Sequence, residues 1–350
     1  MASETEQRAM RRALTLAAGA LGRTSPNPVV GAVVLDRSGA IVGEGRHEAY
    51  GGPHAEIEAL RVAGERAVGG TAVVSLEPCD HTGRTGPCSE ALLAAEVARV
   101  VYAVDDPTGV GGAGHLRSAG VDVESGVLRE EAERVNEAWL TAVRLGRPHV
   151  HLKLATSLDG RVAAADGTSR WITGARSRAD VHRLRHEVDA VLVGTGTALA
   201  DDPALTVRDL PDGAEPDHQP LRVLLGRRDL PANSRLFDGQ AETVLMRQHT
   251  PASALDELYG RGVRSVLVEG GPTVAAAFVA AGLVDRVSVY VAPVLLGAGP
   301  TALADAGIET IADALRLHPD DVSVLGEDVR ISARVGGEVD REDEGRGEEA

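Results

Sequence analysis

The sequence predicts an α/β protein of two domains, each a sheet flanked by helices. Three observations predict it. The 350 residues exceed one ordinary domain, apolar runs of strand length alternate with helix-period stretches, and Gly146-Arg147-Pro148 interrupts the rhythm near mid-chain. In the first half, 6–21 and 54–66 have helical spacing, and Pro53 is placed to open the second of these. The stretches 29–35 and 40–45 read as a strand pair turned at 36–39, and 71–76 and 99–104 as short buried strands. Helices are expected over 88–97 and 127–145. In the second half, strands are expected at 149–155, 189–193, 222–225, 243–246, 265–268 and 286–292, and helices at 176–187, 252–261 and 272–282. Strands separated by helices imply crossover connections and a largely parallel sheet. The expected boundaries are 1–147, 148–335 and an acidic tail, 336–350, which carries seven acids against two arginines and cannot bury enough apolar surface to order itself.

Composition narrows the function. Hydrophobic residues make up 43% and charged residues 25%, a globular balance, and with aromatics at 2% the cores must be built of Ala, Val and Leu. No apolar run approaches the length of a spanning helix, and the N-terminus is too polar for a secretory signal. A net charge of −16 without basic runs argues against a nucleic-acid backbone as partner. Two cysteines make no disulfide framework and fit a reducing, cytoplasmic setting.

Those cysteines carry the first chemical signal. His54-Ala55-Glu56, Pro78-Cys79 and Pro87-Cys88 are metal-ligand types gathered in one half. Cysteine and histidine also occur together as small, inert core residues. Against that reading stand a His-x-Glu at a helix start and a proline before each cysteine. Structural zinc is closed by four protein ligands, whereas catalytic zinc keeps three and leaves a place for water. His54, Cys79 and Cys88 make three, with no further cysteine to close the shell.

The pattern resembles the cytidine-deaminase superfamily, H-x-E followed by P-C-x-x-C, with a longer insert between the cysteines. That insert, Cys79 to Cys88, together with Thr24-Ser25-Pro26-Asn27-Pro28-Val29-Val30-Gly31 and Gly52-Pro53-His54-Ala55-Glu56, resembles the bifunctional riboflavin-biosynthesis deaminase–reductases. Gly86 stands where that family usually has a proline. The resemblance implies a cytidine-deaminase-like first domain holding Zn2+ on His54, Cys79 and Cys88. It makes Glu56 the proton shuttle, and Asn27, His47, His81 and Arg84 contacts to a phosphoribosyl pyrimidine.

The second half lacks G-x-G-x-x-G but has Gly194-Thr195-Gly196-Thr197 and Glu269-Gly270-Gly271-Pro272-Thr273 after apolar strands. Such turns receive phosphate on backbone N–H groups, and they also serve merely to let backbone pass closely. With Lys153 to Arg161, Trp171 to Gly174 and Asp201 to Arg208 in order, the half resembles the reductase domain of the same family, dihydrofolate-reductase-like and NADPH-dependent. The resemblance implies a cofactor site at Ala155, Trp171, Thr197, Asp201 and Gly271, Pro272, Thr273, Val274, Ala275, Ala276 and Ala277. It implies substrate contacts at Ser169, Arg185, Leu205, Arg208 and Glu269, and a homo-oligomer formed through this domain. Lys153 and Glu269 are candidates to polarise or protonate the sugar. Arg227, in the pair Arg227-Arg228 after the strand 222–225, is the candidate for the 2′-phosphate of NADPH, with solvated arginines the plain alternative.

Overall fold

The computed structural model describes residues 1–82 and 86–336. It divides into two compact units, Met1–Pro148 with Gly262–Arg264, and the remainder.

In the first unit the elements run α1 (Glu4–Ala18), β1 (Gly31–Leu35), β2 (Ile41–Arg46), α2 (Ala55–Ala63), β3 (Thr71–Leu76), α3 (Cys88–Ala94), β4 (Arg99–Val104), α4 (Ala113–Ser118), β5 (Asp122–Glu124), α5 (Arg129–Val135) and α6 (Glu137–Leu145). Their sheet order is β2-β1-β3-β4-β5, with β1 antiparallel to its neighbours and β3, β4 and β5 parallel. Strand alternation splits the core in two. Val33, Leu35, Val73 and Val101 face Met10 and Leu14 of α1 and Trp139 and Leu140 of α6. Ala32, Val34, Val74 and Val100 face Ala55 and Ala59 of α2, Leu92 of α3 and Leu116 of α4. A capping box, Ser3 with Glu6, starts α1, and Glu6 also accepts from Arg99 Nε at 2.7 Å, tying the helix to β4.

The long helix expected over 127–145 is broken at Asn136. Its amide accepts from Val29 N–H at 3.1 Å and donates to Val29 C=O at 2.8 Å, a clamp on the segment before β1. The short α4 and β5 were not expected from the sequence; each is too brief for a periodicity to register.

The second unit contains β6 (His149–Ser157), α7 (Ala175–His186), β7 (Ala190–Gly194), α8 (Thr195–Asp201), β8 (Leu221–Leu225), β9 (Thr243–Met246), α9 (Pro251–Gly260), β10 (Ser265–Gly270), α10 (Pro272–Ala280), β11 (Arg286–Ala292), β12 (Leu317–Leu325) and β13 (Asp328–Val335). The sheet order is β12-β13-β11-β6-β10-β7-β8-β9. From β11 to β9 all pairings are parallel, and β13 and β12 add an antiparallel edge. That hairpin was missed because β12 reads LHPDDVSVL, polar and carrying a proline, which suits an edge strand and masks a strand pattern. One face is sealed by Val181 and Leu184 of α7 against Val191, Val193, Leu224, Leu267 and Tyr290. Parallel pairing leaves β6, β10, β7, β8 and β9 ending on the same edge.

Close approach of α2 to β2 depends on two glycines. A Cβ on Gly43 would lie 2.1 Å from Ala59 O, and one on Gly45 would lie 2.3 Å from Ala55 O. Gly45→Ala is therefore expected to cost about 1–3 kcal/mol by forcing helix and strand apart. Gly114→Ala, in α4 with open space around it, should be neutral or gain up to about 1 kcal/mol. Urea denaturation of the two variants checks the opposite signs.

Candidate functional site

The metal-ligand residues come from three element ends. His54 is the extended N-cap of α2 (φ −73, ψ 159), Cys79 follows β3, and Cys88 is the first residue of α3. The loop after β3 is anchored on both sides of Cys79. Gly112 N–H donates to Pro78 O at 2.7 Å, Asp80 N–H to Val110 O at 2.9 Å, and Ser89 N–H to Cys79 O at 3.1 Å. The Pro53 carbonyl can only accept, so His47 Nδ1, 2.9 Å away, carries the proton and Nε2 accepts from Asn27 Nδ2 at 3.3 Å. His47 is buried, with its ring edge-on to His54 at 5.6 Å between centroids. It thus holds the turn that delivers His54.

His54 Nδ1 lies 3.2 Å from Cys88 Sγ and 3.5 Å from Cys79 Sγ, and all three ligand atoms fall within 4.8 Å of one another. A tetrahedral zinc with bonds of about 2.0–2.3 Å separates its ligands by about 3.5–3.8 Å. The donor set and its spacing fit that ion. Hydrogen bonding from Cys88 and from His54 draws the Cys79 thiol well below its ordinary value, the form in which sulfur ligates. Glu56 is buried against Cys88, and burial pushes its carboxyl up. Residues two apart do not share a helix face, but His54 precedes α2 with extended backbone, so helical phase does not separate it from Glu56. His81 is exposed, and Arg84 lies outside the described residues.

A second group of metal-ligand types, His186, Asp217 and His218, lies on the surface of the second unit, its members in contact with one another. Asp217 Oδ1 lies 2.9 Å from His186 Nε2 and 2.8 Å from His218 Nδ1, and His218 Nε2 lies 2.9 Å from His186 O.

In the second unit, a cleft of about 920 Å³ opens at the carboxyl ends of the parallel strands, where ligands bind in open α/β sheets. Lys153, Ala155, Ser169, Thr197, Asp201, Glu269, Gly271, Pro272, Thr273, Val274 and Ala277 line it. Thr197 Oγ1 donates to Gly270 O at 3.1 Å and accepts from Gly271 N–H at 3.0 Å, pinning the turn into α10. Gly270 needs its positive φ of 65° there.

Several expected residues lie elsewhere. Trp171 is 70% exposed, off the wall, with the Arg178 guanidinium 4.6 Å from its ring centroid. Ala275 and Ala276 turn into the core because α10 presents Thr273, Val274 and Ala277 to the cleft. The Leu205 side chain is buried in the core. Arg228 lines the cleft, and Arg227 does not. Arg170 and His249 also line it and were missed, whereas Thr195, also on the wall, belongs to the glycine turn read from the sequence. His249 sits in Arg247-Gln248-His249-Thr250-Pro251, between a strand and a helix, and that placement was the available signal.

Arg185 and Glu269 form a largely buried, two-pronged ion pair, Nε–Oε1 2.5 Å and Nη2–Oε2 3.0 Å, and Arg185 Nη1 donates to Thr206 O at 3.0 Å. Burial alone would raise the Glu269 carboxyl, but Arg185 and then Lys153 hold it below the usual carboxylate range. Burial pulls the Lys153 ammonium down, partly offset by Glu269. Arg208 Nη1 donates to Thr206 Oγ1 at 2.8 Å, beside Arg185.

Family comparisons agree with this geometry. Residues 148–331 match the RibD C-terminal domain, and residues 3–104 match the cytidine and deoxycytidylate deaminase zinc-binding region. Riboflavin biosynthesis protein RibD of Mycobacterium tuberculosis (strain H37Rv) is 51% identical over 314 residues, covering 89% of this chain and 92% of that one. The chain belongs to the RibD family. The Escherichia coli (strain K12) RibD is 41% identical, over 91% of this chain and 96% of its own. The solved Acinetobacter baumannii RibD superposes with a TM-score of 0.88 at 39% identity, over 95% of this chain and 99% of that one. A Thermotoga maritima structure described as a diaminohydroxyphosphoribosylaminopyrimidine deaminase/5-amino-6-(5-phosphoribosylamino)uracil reductase superposes at 0.87 and 35% identity, over 95% and 99%.

Glu269→Ala leaves a buried guanidinium without its carboxylate and is expected to destabilise the chain by about 3–5 kcal/mol. Arg185→Ala combined with Glu269→Ala should cost less than the two single changes summed, as read by urea denaturation in a double-mutant cycle. Because the Glu269 carboxyl is depressed, the pair's contribution is full at neutral pH and is lost as the pH falls through the carboxylate range.

Proposed function

We propose that this chain catalyses two reactions of riboflavin biosynthesis in a cytoplasmic setting. The first unit hydrolytically deaminates 2,5-diamino-6-(5-phosphoribosylamino)pyrimidin-4-one to 5-amino-6-(5-phosphoribosylamino)uracil. The second reduces the ribosyl group to a ribityl chain with NADPH. The observation that carries the first reaction is the triad of donors at 3.2 and 3.5 Å with a buried carboxyl beside it. Three protein ligands leave a tetrahedral ion one position for water.

Zinc, when bound, lowers the pKa of a coordinated water towards neutrality, and NADPH supplies a hydride. Glu56 takes the proton of the attacking water and passes it to the 2-amino nitrogen, which departs as ammonia. Burial, by raising the Glu56 carboxyl, suits it to hold that proton between the two events. His47, beside His54, holds the Asn27 amide on its ring, and Asn27, His47, His81 and Arg84 are assigned to the substrate from the sequence pattern. In the second unit, hydride adds to C1 of the ring-opened ribosyl group, and the displaced electron pair needs a proton. Lys153, a residue of the cleft wall, is the donor at hand, and the Glu269 carboxylate, kept ionised by Arg185, balances its charge. Ser169 meets the sugar on the wall, and Arg208, beside the committed Arg185, is the freer cation for the substrate phosphate.

The same reading includes a homo-oligomer formed through the second unit. Its support is the edge strand β12, where Val322 and Val324 are 65% and 72% exposed. Among the described residues no helix is long and apolar enough to cross a membrane.

Glu56→Gln is expected to abolish ammonia release while retaining about one zinc per chain. NADPH oxidation on the already deaminated substrate should be unaffected. Metal analysis and the two separate assays check this; loss of zinc, or a matched loss of NADPH oxidation, would count against it. Cys79→Ala and Cys88→Ala should each lower bound zinc well below one per chain.

A further inference from the structure

The strand order imposes a direction on the cleft. Along β6-β10-β7-β8-β9 the wall presents Lys153 and Glu269 first, then the turns at Gly270–Gly271 and Gly194–Gly196, then Gly226, Arg228 and His249. If hydride passes to a sugar held by Lys153 and Glu269, the nicotinamide lies at that end. The dinucleotide then crosses the glycine turns and brings its adenosine ribose to the ends of β8 and β9. From β6 to β8 is three strand spacings, about 14 Å, a span that an extended dinucleotide covers.

The far end is built for an added anion. Arg228 Nη2 hangs over the start of α8, 2.8 Å from where a Cβ on Gly196 would stand. Among the described residues nothing pairs with it, whereas nearby Arg247 is neutralised by Asp229 at 2.5 Å. His249 Nε2 contacts Glu257 Oε2 at 2.8 Å, and its other ring nitrogen, Nδ1, is buried without a hydrogen-bond partner. Sites that take NAD place an acid against the ribose 2′-hydroxyl, and sites that take NADP place an arginine there. Here Gly226-Arg227-Arg228 follows β8, and the acids around this end are engaged, Asp229 with Arg247 and Glu257 with His249 and Arg261.

We propose that Arg228, assisted by His249, reads the 2′-phosphate of NADPH and makes the cleft select NADPH over NADH, while Arg227, off the wall, takes no part. A guanidinium grips a phosphate through two parallel N–H donors, and without the phosphate its charge stays uncompensated. The inference rests on the NADPH reading above.

Calorimetric titration of the full chain with adenosine 2′,5′-bisphosphate and with 5′-AMP isolates the 2′-phosphate. The native chain should bind the bisphosphate at least about tenfold tighter. Arg228→Ala should erase that margin and leave 5′-AMP affinity unchanged, and Arg228→Lys should restore part of it. His249→Phe should shrink the margin severalfold, and Arg227→Ala should keep it whole. A margin that survives Arg228→Ala, or that disappears with Arg227→Ala, overturns the assignment; one untouched by His249→Phe removes His249 from it. A native chain that does not distinguish the two nucleotides, or binds neither, overturns instead the NADPH reading beneath it.

Discussion

Parallel strand pairing is the constraint on which both sites depend. A parallel sheet requires each strand to be followed by a crossover, so the strand ends and the starts of the next helices collect on one edge. In the first unit that edge brings Cys79 after β3 to the first residue of α3, Cys88. In the second it gathers Lys153, Gly194, Gly226 and Glu269 from four strands around one cleft. Backbone hydrogen bonding thus decides where the chemistry sits before any catalytic side chain is chosen.

What the edge collects must then be held still. The first unit does this with small residues and backbone anchors. Glycines on β2 let α2 lie against the strand, and His47 locks the Pro53 turn. Asn136 fastens the segment before β1 from a break between two helices. The second unit uses charge. The Arg185–Glu269 pair keeps a carboxylate ionised where burial would neutralise it, and that carboxylate stands beside the cleft's ammonium. Charges buried together hold geometry only while both partners remain, so this site is stiffer and less tolerant than its exposure suggests.

The metal centre was legible in the sequence because ligation is a property of residue type. The chain has two cysteines in 350 residues, both beside prolines and both in the half with His-x-Glu, and chance rarely gathers them so. The glycine turns of the cleft were legible for a related reason, since close backbone approach excludes side chains. The rest depends on orientation. Nothing in Gly226-Arg227-Arg228 says which arginine faces the cleft, and only the packed loop decides. Ala275 and Ala276 came with a contiguous segment, whereas helical phase sends them to the core and Ala277 to the wall. The helix break at Asn136 escaped notice because its partner, Val29, is 107 residues away.

Deamination in the first unit requires three protein donors to meet one ion. X-ray absorption at the zinc edge of the purified full chain tests this most directly. The expected first shell holds two sulfurs at about 2.3 Å and two lighter atoms at about 2.0 Å, one from His54 and one from solvent. A shell of nitrogen and oxygen without sulfur, or a chain that retains no zinc, would contradict it.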